Sequence, residues 1–355
     1  MRRSMLAGGR AVPERRSGFT IVELLVSFAV MALLMVLLAA MVGATSSTWR
    51  GTRGKVEQFQ QAREAFEAVV ARLSEATLNT YYDYEDAAGM LKTAANSRTF
   101  EPDRYARQSE LRFLSGPGLA GSGHAVFFQA PGGESSDGAG LENLLNTFGF
   151  FVELGDDKRF LPPVLDASHA RVRFRLLQYT EPAESLAIYR VTAADPQGQS
   201  RAWYQEGLAD RGNVVVVAEN VVALVLLPKL SRQDQMAGNY SDASLAPQYL
   251  YDSTASRSDP ALNPRHQLPS VVQVTLVALD EASAARMSAV DQAALKTLVD
   301  GLFLSVGSTT DPSLPGYAKD LQTLEGFLNS RGLSYRVFQS NVPIKSAKWS
   351  REQKS

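Results

Sequence analysis

The sequence has no cysteine and only three histidines, His124, His169 and His266, among its 355 residues. The lack of cysteine excludes disulfides and thiol chemistry, so the folded chain must be stable without covalent cross-links. The histidines are not spaced as a metal-binding pair, and we expect each of them at a strand edge or in a loop. We therefore expect no cofactor.

Motifs for nucleotide binding and hydrolysis are missing as well. The sequence contains neither GxxxxGK[ST] nor GxSxG, and glycine-rich stretches such as 115–123 and 131–140 do not lie between a strand and a helix. We interpret these stretches as surface loops. A Ser-His-Asp triad is defined by geometry rather than by spacing. A hydrolase therefore stays an alternative to the non-enzymatic protein that we favour.

The most informative segment lies at the N-terminus. Residues 17–24 read Ser-Gly-Phe-Thr-Ile-Val-Glu-Leu, and the leader before them, residues 1–18, carries five arginines against Glu14 alone. Residues 24–44 contain no charge. As a helix they would be about 32 Å long, enough to cross a bilayer core of about 30 Å. An ordinary secretory signal has a shorter apolar region, with its cleavage site after that region.

The leader and the apolar run together resemble the signal of type IV prepilins, a class that includes pilins and the pseudopilins of type II secretion systems. The motif is a glycine, then a phenylalanine, then a glutamate five residues after the glycine, here Gly18, Phe19 and Glu23. The resemblance covers residues 1–45. It implies cleavage after Gly18 by a prepilin peptidase and methyltransferase, N-methylation of Phe19, and an apolar helix kept as membrane anchor and assembly helix.

Glu23 has two interpretations. It is either a charge that flanks a membrane helix and reaches the headgroups, or a partner for the amine that cleavage creates on Phe19. Beside Gly18 and Phe19 we favour the second, with the amine on a neighbouring subunit. A charge in lipid costs about 3 kcal/mol. Pairing would recover part of that cost and would fix the register of the incoming subunit.

The charge distribution predicts the topology. By the positive-inside rule, the five leader arginines keep the N-terminus in the cytoplasm. The chain would then cross the inner membrane once, in contact with its lipid, and the rest would be periplasmic. Loss of the leader changes 36 basic and 37 acidic residues to 31 and 36. This mildly acidic balance argues against a nucleic-acid surface.

Residues 55–79 predict an amphipathic continuation of the helix, because apolar residues recur there at steps of three and four. The apolar stripe should pack on a globular domain, and it is too short and irregular for a coiled coil. Glycines at 43, 51 and 54 indicate a weak zone between the two halves. The stripe consists of Val56, Phe59, Phe66, Val69, Val70 and Leu73.

Beyond residue 80 the pattern changes to short strands with turn-rich connections, which predicts an α+β fold. In this fold a long N-terminal helix, half membrane and half amphipathic, packs on a mainly antiparallel, pilin-like β-sheet domain. The expected domains are the leader 1–18, a transmembrane and assembly helix 19–45, its amphipathic continuation 46–80, and a periplasmic domain 81–355. Strands are predicted at 125–130, 147–154, 170–179, 186–191, 214–218, 221–227, 271–279 and 333–339, and helices within 281–303, as one or two, and at 319–330.

Three arginines alternate with apolar residues at the start of the predicted strand 170–179. Arg171, Arg173 and Arg175 should point to one side and the apolar residues to the other. A functional basic stripe and a solvated sheet face both fit this pattern. We favour the solvated face.

Two acidic pairs are candidate sites. Asp280 and Glu281 follow a strand, and neighbours on a strand point apart, so we interpret them as the start of a helix rather than an acid-base pair. Asp156 and Asp157 could contribute to a calcium site, as in some pseudopilins. We favour a solvated turn, because calcium takes six to eight oxygen ligands. No metal site is therefore predicted.

The resemblance extends beyond the signal. A long N-terminal helix that leads into a multi-strand domain of this size looks like the larger minor pseudopilins, especially the J type, which cap a secretion pseudopilus. Several phrases also resemble the prepilin-like cassette protein C family of Verrucomicrobia and their relatives. These phrases start at residues 124, 145, 218, 246, 273 and 333, and include HAVFFQAP, LNTFGFFVELG and LSYRVFQSNVPIKSAKWS.

The sequence thus predicts a structural minor pilin-like or pseudopilin-like subunit of a type II secretion or type IV pilus-like machine. Its expected partners are other prepilin-like subunits, and its expected place is the inner membrane or a pilus-like fibre. Two alternatives stay open. One is a lone membrane-anchored periplasmic binding domain, and the other is a tethered envelope hydrolase.

Overall fold

The computed structural model describes residues 20–135, 144–160, 170–195, 200–210, 212–306 and 316–351, without the side chains of residues 43–58. The chain divides into two compact units, Met1–Gly54 and Lys55–Ser355. The first helix, α1, is assigned to Ile21–Ser74 and contributes to both units.

The secondary structure after α1 alternates strands with short helices. In chain order the strands are β1 (Tyr81–Glu85), β2 (Arg104–Gln108), β3 (Leu114–Pro117), β4 (Ser122–Pro131), β5 (Leu145–Gly155), β6 (Arg173–Glu181), β7 (Val214–Glu219), β8 (Val221–Lys229), β9 (Tyr251–Asp252), β10 (Val271–Leu279) and β11 (Tyr335–Pro343). The further helices are α2 (Ala187–Ala194), α3 (Ala202–Asp210), α4 (Arg232–Gly238), α5 (Glu281–Arg286), α6 (Ala289–Gly301) and α7 (Gly316–Ser330).

The described strands form antiparallel sheets. The larger sheet has the order β7-β6-β5-β4-β3-β9, and a second sheet has the order β11-β10-β8. Strands β1 and β2 pair with each other as a separate ribbon. An N-terminal apolar helix followed by a mainly antiparallel β domain confirms the predicted α+β fold.

The core lies between the sheets and the helices that cover them. Strands β4 and β5 are buried along nearly their whole length, which requires that both faces of the larger sheet are covered. On one side the ring of Tyr204 in α3 stacks on Phe127 of β4, with 3.9 Å between centroids. On the other side β8 of the second sheet packs against β4, and its backbone at Leu226 bonds to His124.

The amphipathic part of α1 packs on the β domain as predicted. Val69 and Leu73 are fully buried, and Phe66 stacks on Phe338 of β11 with 5.9 Å between ring centroids. On the outer face Arg63 and Glu67 form an exposed ion pair one helical turn apart. The three- and four-residue spacing of the apolar positions therefore places them on the face that contacts the sheets.

One predicted strand is wrong. Residues 186–191 were expected as a strand, but the structure has α2 there, with Ile188 and Val191 buried on one helix face. A six-residue apolar run fits both periods, and the packing of α2 against α3 favours the helix. The other predicted strands are present, and the helical stretch 281–303 forms two helices because Ser288 caps a new start by accepting a bond from the N–H of Asp291.

Candidate assembly and processing site

The first turn of α1 is closed by a reciprocal pair of hydrogen bonds between Thr20 and Glu23. The N–H of Glu23 donates to Thr20 Oγ1 at 3.3 Å, and the N–H of Thr20 donates to Glu23 Oε2 at 3.2 Å. The hydroxyl of Thr20 also lies 3.2 Å from Glu23 Oε2. This is a capping box, which satisfies backbone donors that a helix start leaves without partners.

The Glu23 carboxylate is therefore exposed to solvent while it accepts hydrogen bonds from Thr20. Its side chain lies on the surface of the helix start, where the helix dipole favours a negative charge. Only one of its oxygens takes part in the bonds to Thr20. A carboxylate can accept several hydrogen bonds, so Glu23 can cap its own helix and still accept a cation.

Ser27 is the polar interruption of the apolar run, and its hydroxyl is satisfied inside the helix. Ser27 Oγ donates to the carbonyl oxygen of Glu23 at 2.7 Å. Such a bond to the previous turn lets a hydroxyl lie in an apolar environment without an external partner.

The segment Ile21–Val42 is long and apolar enough to cross a membrane, and within the described residues it is the one helix that meets this test. Length and composition alone are weak evidence, since a buried core helix or a signal sequence passes the same test. Within the described residues this segment is fully exposed. An apolar helix without a covering partner is typical of contact with lipid or with other helices.

The remaining processing residues, Gly18 and Phe19, lie outside the described residues, as does His169. Sequence reasoning missed Thr20, although the signal was present. The pattern Thr-x-x-Glu at residues 20–23, directly before an apolar run, is the sequence signature of a capping box.

The described histidines have structural roles. His124 lies inside β4, where its Nδ1 accepts from the N–H of Leu226 at 3.1 Å and its Nε2 lies 2.8 Å from the carbonyl oxygen of Phe303. Burial lowers the pKa of His124 to about 4, so the ring is neutral at pH 7. It lies in the middle of the core rather than at a strand edge. His266 lies in a loop with a positive φ of 52°.

Arg173 and Arg175 of β6 do not belong to a solvated face, so that prediction is wrong for these two residues, whereas Arg171 lies before β6 and is exposed. Arg175 is only 3% exposed and contacts Asp157 at 3.1 Å and Glu219 at 3.7 Å. Arg173 pairs with Glu219 at 2.7 Å and with Glu281 at 2.8 Å. Carboxylates from β7, α5 and the turn after β5 neutralise these cations. Local sequence does not predict these pairs, because the partners come from other elements.

The acidic pairs are occupied by protein contacts. Asp280 caps α5 by accepting from the N–H of Ser283 at 2.6 Å, which confirms the predicted helix start. Asp157 accepts from the N–H of Arg171 at 2.7 Å, and Asp156 pairs with Lys158 at 3.2 Å. Within the described residues no group of three or more metal-type side chains converges.

Comparison with known proteins supports the N-terminal assignment. Residues 14–39 match the family described as "Prokaryotic N-terminal methylation motif". The match includes Thr20, Glu23 and Ser27, together with most of the apolar segment. It supports a type IV prepilin-like protein, and the apolar helix fits a membrane anchor for such a protein. Neither the curated proteins nor the solved structures contain a match to this chain.

Proposed function

We propose that the chain is a structural minor subunit of a type II secretion or type IV pilus-like machine. It is cut after Gly18, methylated on Phe19 and assembled through its N-terminal helix. The observation that carries this proposal is the methylation motif at residues 14–39, which overlaps an apolar helix long enough to cross a membrane and exposed within the described residues.

The proposed topology follows from charge. The arginine-rich leader stays in the cytoplasm, the apolar helix crosses the inner membrane, and the unit Lys55–Ser355 folds in the periplasm. Its partners are a prepilin peptidase and methyltransferase and other pilin-like subunits. A minor role, of the J type or of the Verrucomicrobial cassette kind, is proposed because the folded unit is large for a repeating subunit.

Glu23 is proposed to bind the amine of Phe19 on a neighbouring subunit. The capping box supports this role because it holds the carboxylate at the helix start and leaves one oxygen for another donor. It also creates an ambiguity, since loss of Glu23 would remove a helix cap as well as a charge.

The first experiment is the intact mass and N-terminal sequence of the protein from native membranes. A chain that begins with N-methylated Phe19 supports the proposal. A chain that keeps its leader, or that is cut after the apolar segment, contradicts it. Neither result depends on how the periplasmic unit folds.

A second experiment separates the two roles of Glu23. Glutamine at this position keeps the capping acceptor but carries no charge, whereas alanine loses both. If pairing drives assembly, Glu23→Gln and Glu23→Ala are both processed and both fail to co-purify with other prepilin-like subunits. Restoration of assembly by Glu23→Gln would assign Glu23 to helix capping alone. Ser27→Ala is the matched control and should assemble normally.

A further inference from the structure

The ribbon of β1 and β2 presents tyrosines to solvent on one face. Tyr82 lies opposite Arg107, and Tyr84 lies opposite Tyr105, so these four side chains share one side of the ribbon. The tyrosines are 63%, 44% and 62% exposed in sequence order, and the rings of Tyr84 and Tyr105 are 4.1 Å apart. We refer to these four residues as the tyrosine face.

The opposite face of the ribbon is fixed to the domain. Glu85 is 1% exposed and receives Arg104 at 3.2 Å and Arg265 at 3.1 Å, and Gln108 donates to it at 2.7 Å. The bonds from Arg104 and Gln108 join β1 to β2, and the bond from Arg265 ties the ribbon to the loop before β10, so the exposure of the tyrosine face is not a consequence of a loose hairpin. A rigid aromatic surface loses little side-chain entropy on binding.

Arg107 is buried at the base of this face, and no acidic residue in the described part of the chain pairs with it. Its Nη1 donates to Gln267 Oε1 at 2.9 Å and to the carbonyl oxygen of Lys348 at 2.8 Å, while its Nη2 reaches only the Tyr82 hydroxyl, at 3.5 Å. Among the described residues no carboxylate lies within 4 Å of its guanidinium group, in contrast to Arg104 and Arg265.

A pocket of about 230 Å³ opens beside Arg107. Its lining includes Asn79, Thr80, His266 and Lys348. Burial and the guanidinium groups of Arg265, Arg112 and Arg107 lower the pKa of His266 to about 3, so the histidine adds no positive charge there.

We propose that the tyrosine face and this pocket bind an acidic segment of a partner protein, with a carboxylate on Arg107 and apolar side chains on the tyrosines. Two arguments select this occupant. Arginine forms strong, charge-assisted hydrogen bonds with carboxylates, and among the described residues this arginine has no such partner. Tyrosine and arginine are also the residue types enriched where protein partners bind most strongly.

The test uses the full chain in detergent and a fluorescein-labelled peptide, Gly-Glu-Leu-Glu-Leu, with binding followed by fluorescence anisotropy. The matched peptide Gly-Gln-Leu-Gln-Leu lacks the side-chain carboxylates, and both peptides are amidated at the C-terminus. We expect the glutamate peptide to bind at least about tenfold more tightly, as a charge-assisted bond to arginine requires. Equal affinity of the two peptides would overturn the proposal.

Variants locate the site. Arg107→Gln should weaken binding of the glutamate peptide about tenfold, and Tyr105→Ala should weaken it severalfold. Arg98→Gln, at an exposed arginine before β2, should leave it unchanged. Because Arg107 also braces Gln267 and Lys348, its variant must retain the circular dichroism spectrum of the wild type. If the spectrum of the Arg107 variant differs, the test depends on Tyr105→Ala. Unchanged peptide binding by Tyr105→Ala refutes the proposal.

A competition arm distinguishes a protein partner from a lipid headgroup. Acetate should displace the glutamate peptide at a lower concentration than glycerol 1-phosphate does. Glycerol 1-phosphate represents the headgroup of phosphatidylglycerol. The reverse order would assign the pocket to a phosphate and reject the acidic segment. The assay requires neither cleavage after Gly18 nor assembly, so its failure would leave the proposed function untouched.

Discussion

His124 in β4 accepts a hydrogen bond from the backbone N–H of Leu226 in β8, and this 3.1 Å bond joins the two sheets. On the other side of the ring, Nε2 contacts the carbonyl oxygen of Phe303 just after α6. One neutral imidazole therefore links three parts of the core. A protonated ring would present an N–H to the Leu226 N–H and lose that bond.

This arrangement predicts a stability that depends on pH. Burial lowers the pKa of folded His124 from 6.5 to about 4, so between these values the unfolded chain binds a proton that the folded chain does not. The free energy of unfolding should therefore fall as pH decreases from 6.5 to 4, by about 3 kcal/mol from this residue. His266, with a pKa of about 3, acts in the same direction.

Urea unfolding followed by tyrosine and tryptophan fluorescence at several pH values measures this effect. His124→Gln serves as the comparison, because it can both donate and accept but does not titrate in this range. The difference between wild type and variant isolates His124 from the carboxylates, which titrate in both. Parallel pH profiles of the two proteins would disprove the assignment.

Arg175 should be much more important for stability than an arginine on the surface. Its replacement by methionine removes contacts to Asp157, Glu219 and the carbonyl oxygen of Gly155. We expect a loss of about 3 kcal/mol, since breaking a buried ion pair leaves its partners without compensation.

The control for this prediction is Arg190→Met, because Arg190 forms an exposed pair with Glu206. That variant should change stability by less than about 1 kcal/mol. Similar losses in both variants would show that the buried cluster contributes no more than a surface pair.

Two glycines in the turn between β3 and β4 should differ in tolerance to alanine. Gly118 and Gly121 both have positive φ, 67° and 61°. A Cβ at Gly118 meets open space, whereas one at Gly121 would overlap the carbonyl oxygen of Val152. Gly118→Ala should cost about 1 to 2 kcal/mol from backbone strain alone, and Gly121→Ala distinctly more.

The two variants share backbone strain, so the difference between their unfolding free energies reports the contact with Val152. Thermal unfolding of both proteins under one condition is sufficient. Equal losses of unfolding free energy would mean that β5 moves to accommodate the added methyl group without further destabilisation.

Leu73 tests the packing of α1 on the β domain. It is fully buried, and Leu73→Ala should reduce the free energy of unfolding by about 2 to 5 kcal/mol through lost burial and a residual cavity. Glu67→Ala, on the exposed face of the same helix, should have an effect below about 1 kcal/mol. A small loss for Leu73→Ala would indicate that the helix end is only loosely held.

Periodic features of this chain could be predicted from sequence, and features that depend on distant partners could not. The stripe with Phe66, Val69 and Leu73 and the apolar runs of β4 and β10 carry their period within a few residues. The burial of Arg175 depends on Asp157 and Glu219, which are brought together only by the pairing of β5, β6 and β7. Local alternation therefore suggested a solvated row.

The functional surfaces show the same division. The motif points to Glu23, whereas its partner Thr20 was missed, although the Thr-x-x-Glu spacing is visible in the sequence. The tyrosine face was not predicted, because Tyr84 and Tyr105 meet only when β1 and β2 pair. Residues 186–191 were wrongly predicted as a strand. Their short apolar run fits the helix period and the strand period equally well, and tertiary packing selects the helix.

The contacts at the end of α1 impose an order on biosynthesis. Phe66 is covered by Phe338, the carbonyl oxygen of Ser74 accepts from the N–H of Lys345, and the Ser346 hydroxyl bonds to the carbonyl oxygen of Ala76. Ribosomes add about 5 to 20 residues per second, so roughly 15 to 55 s pass between synthesis of the apolar stripe and synthesis of the residues that cover it. A nascent chain therefore exposes this apolar stripe until residues 338–346 have been added.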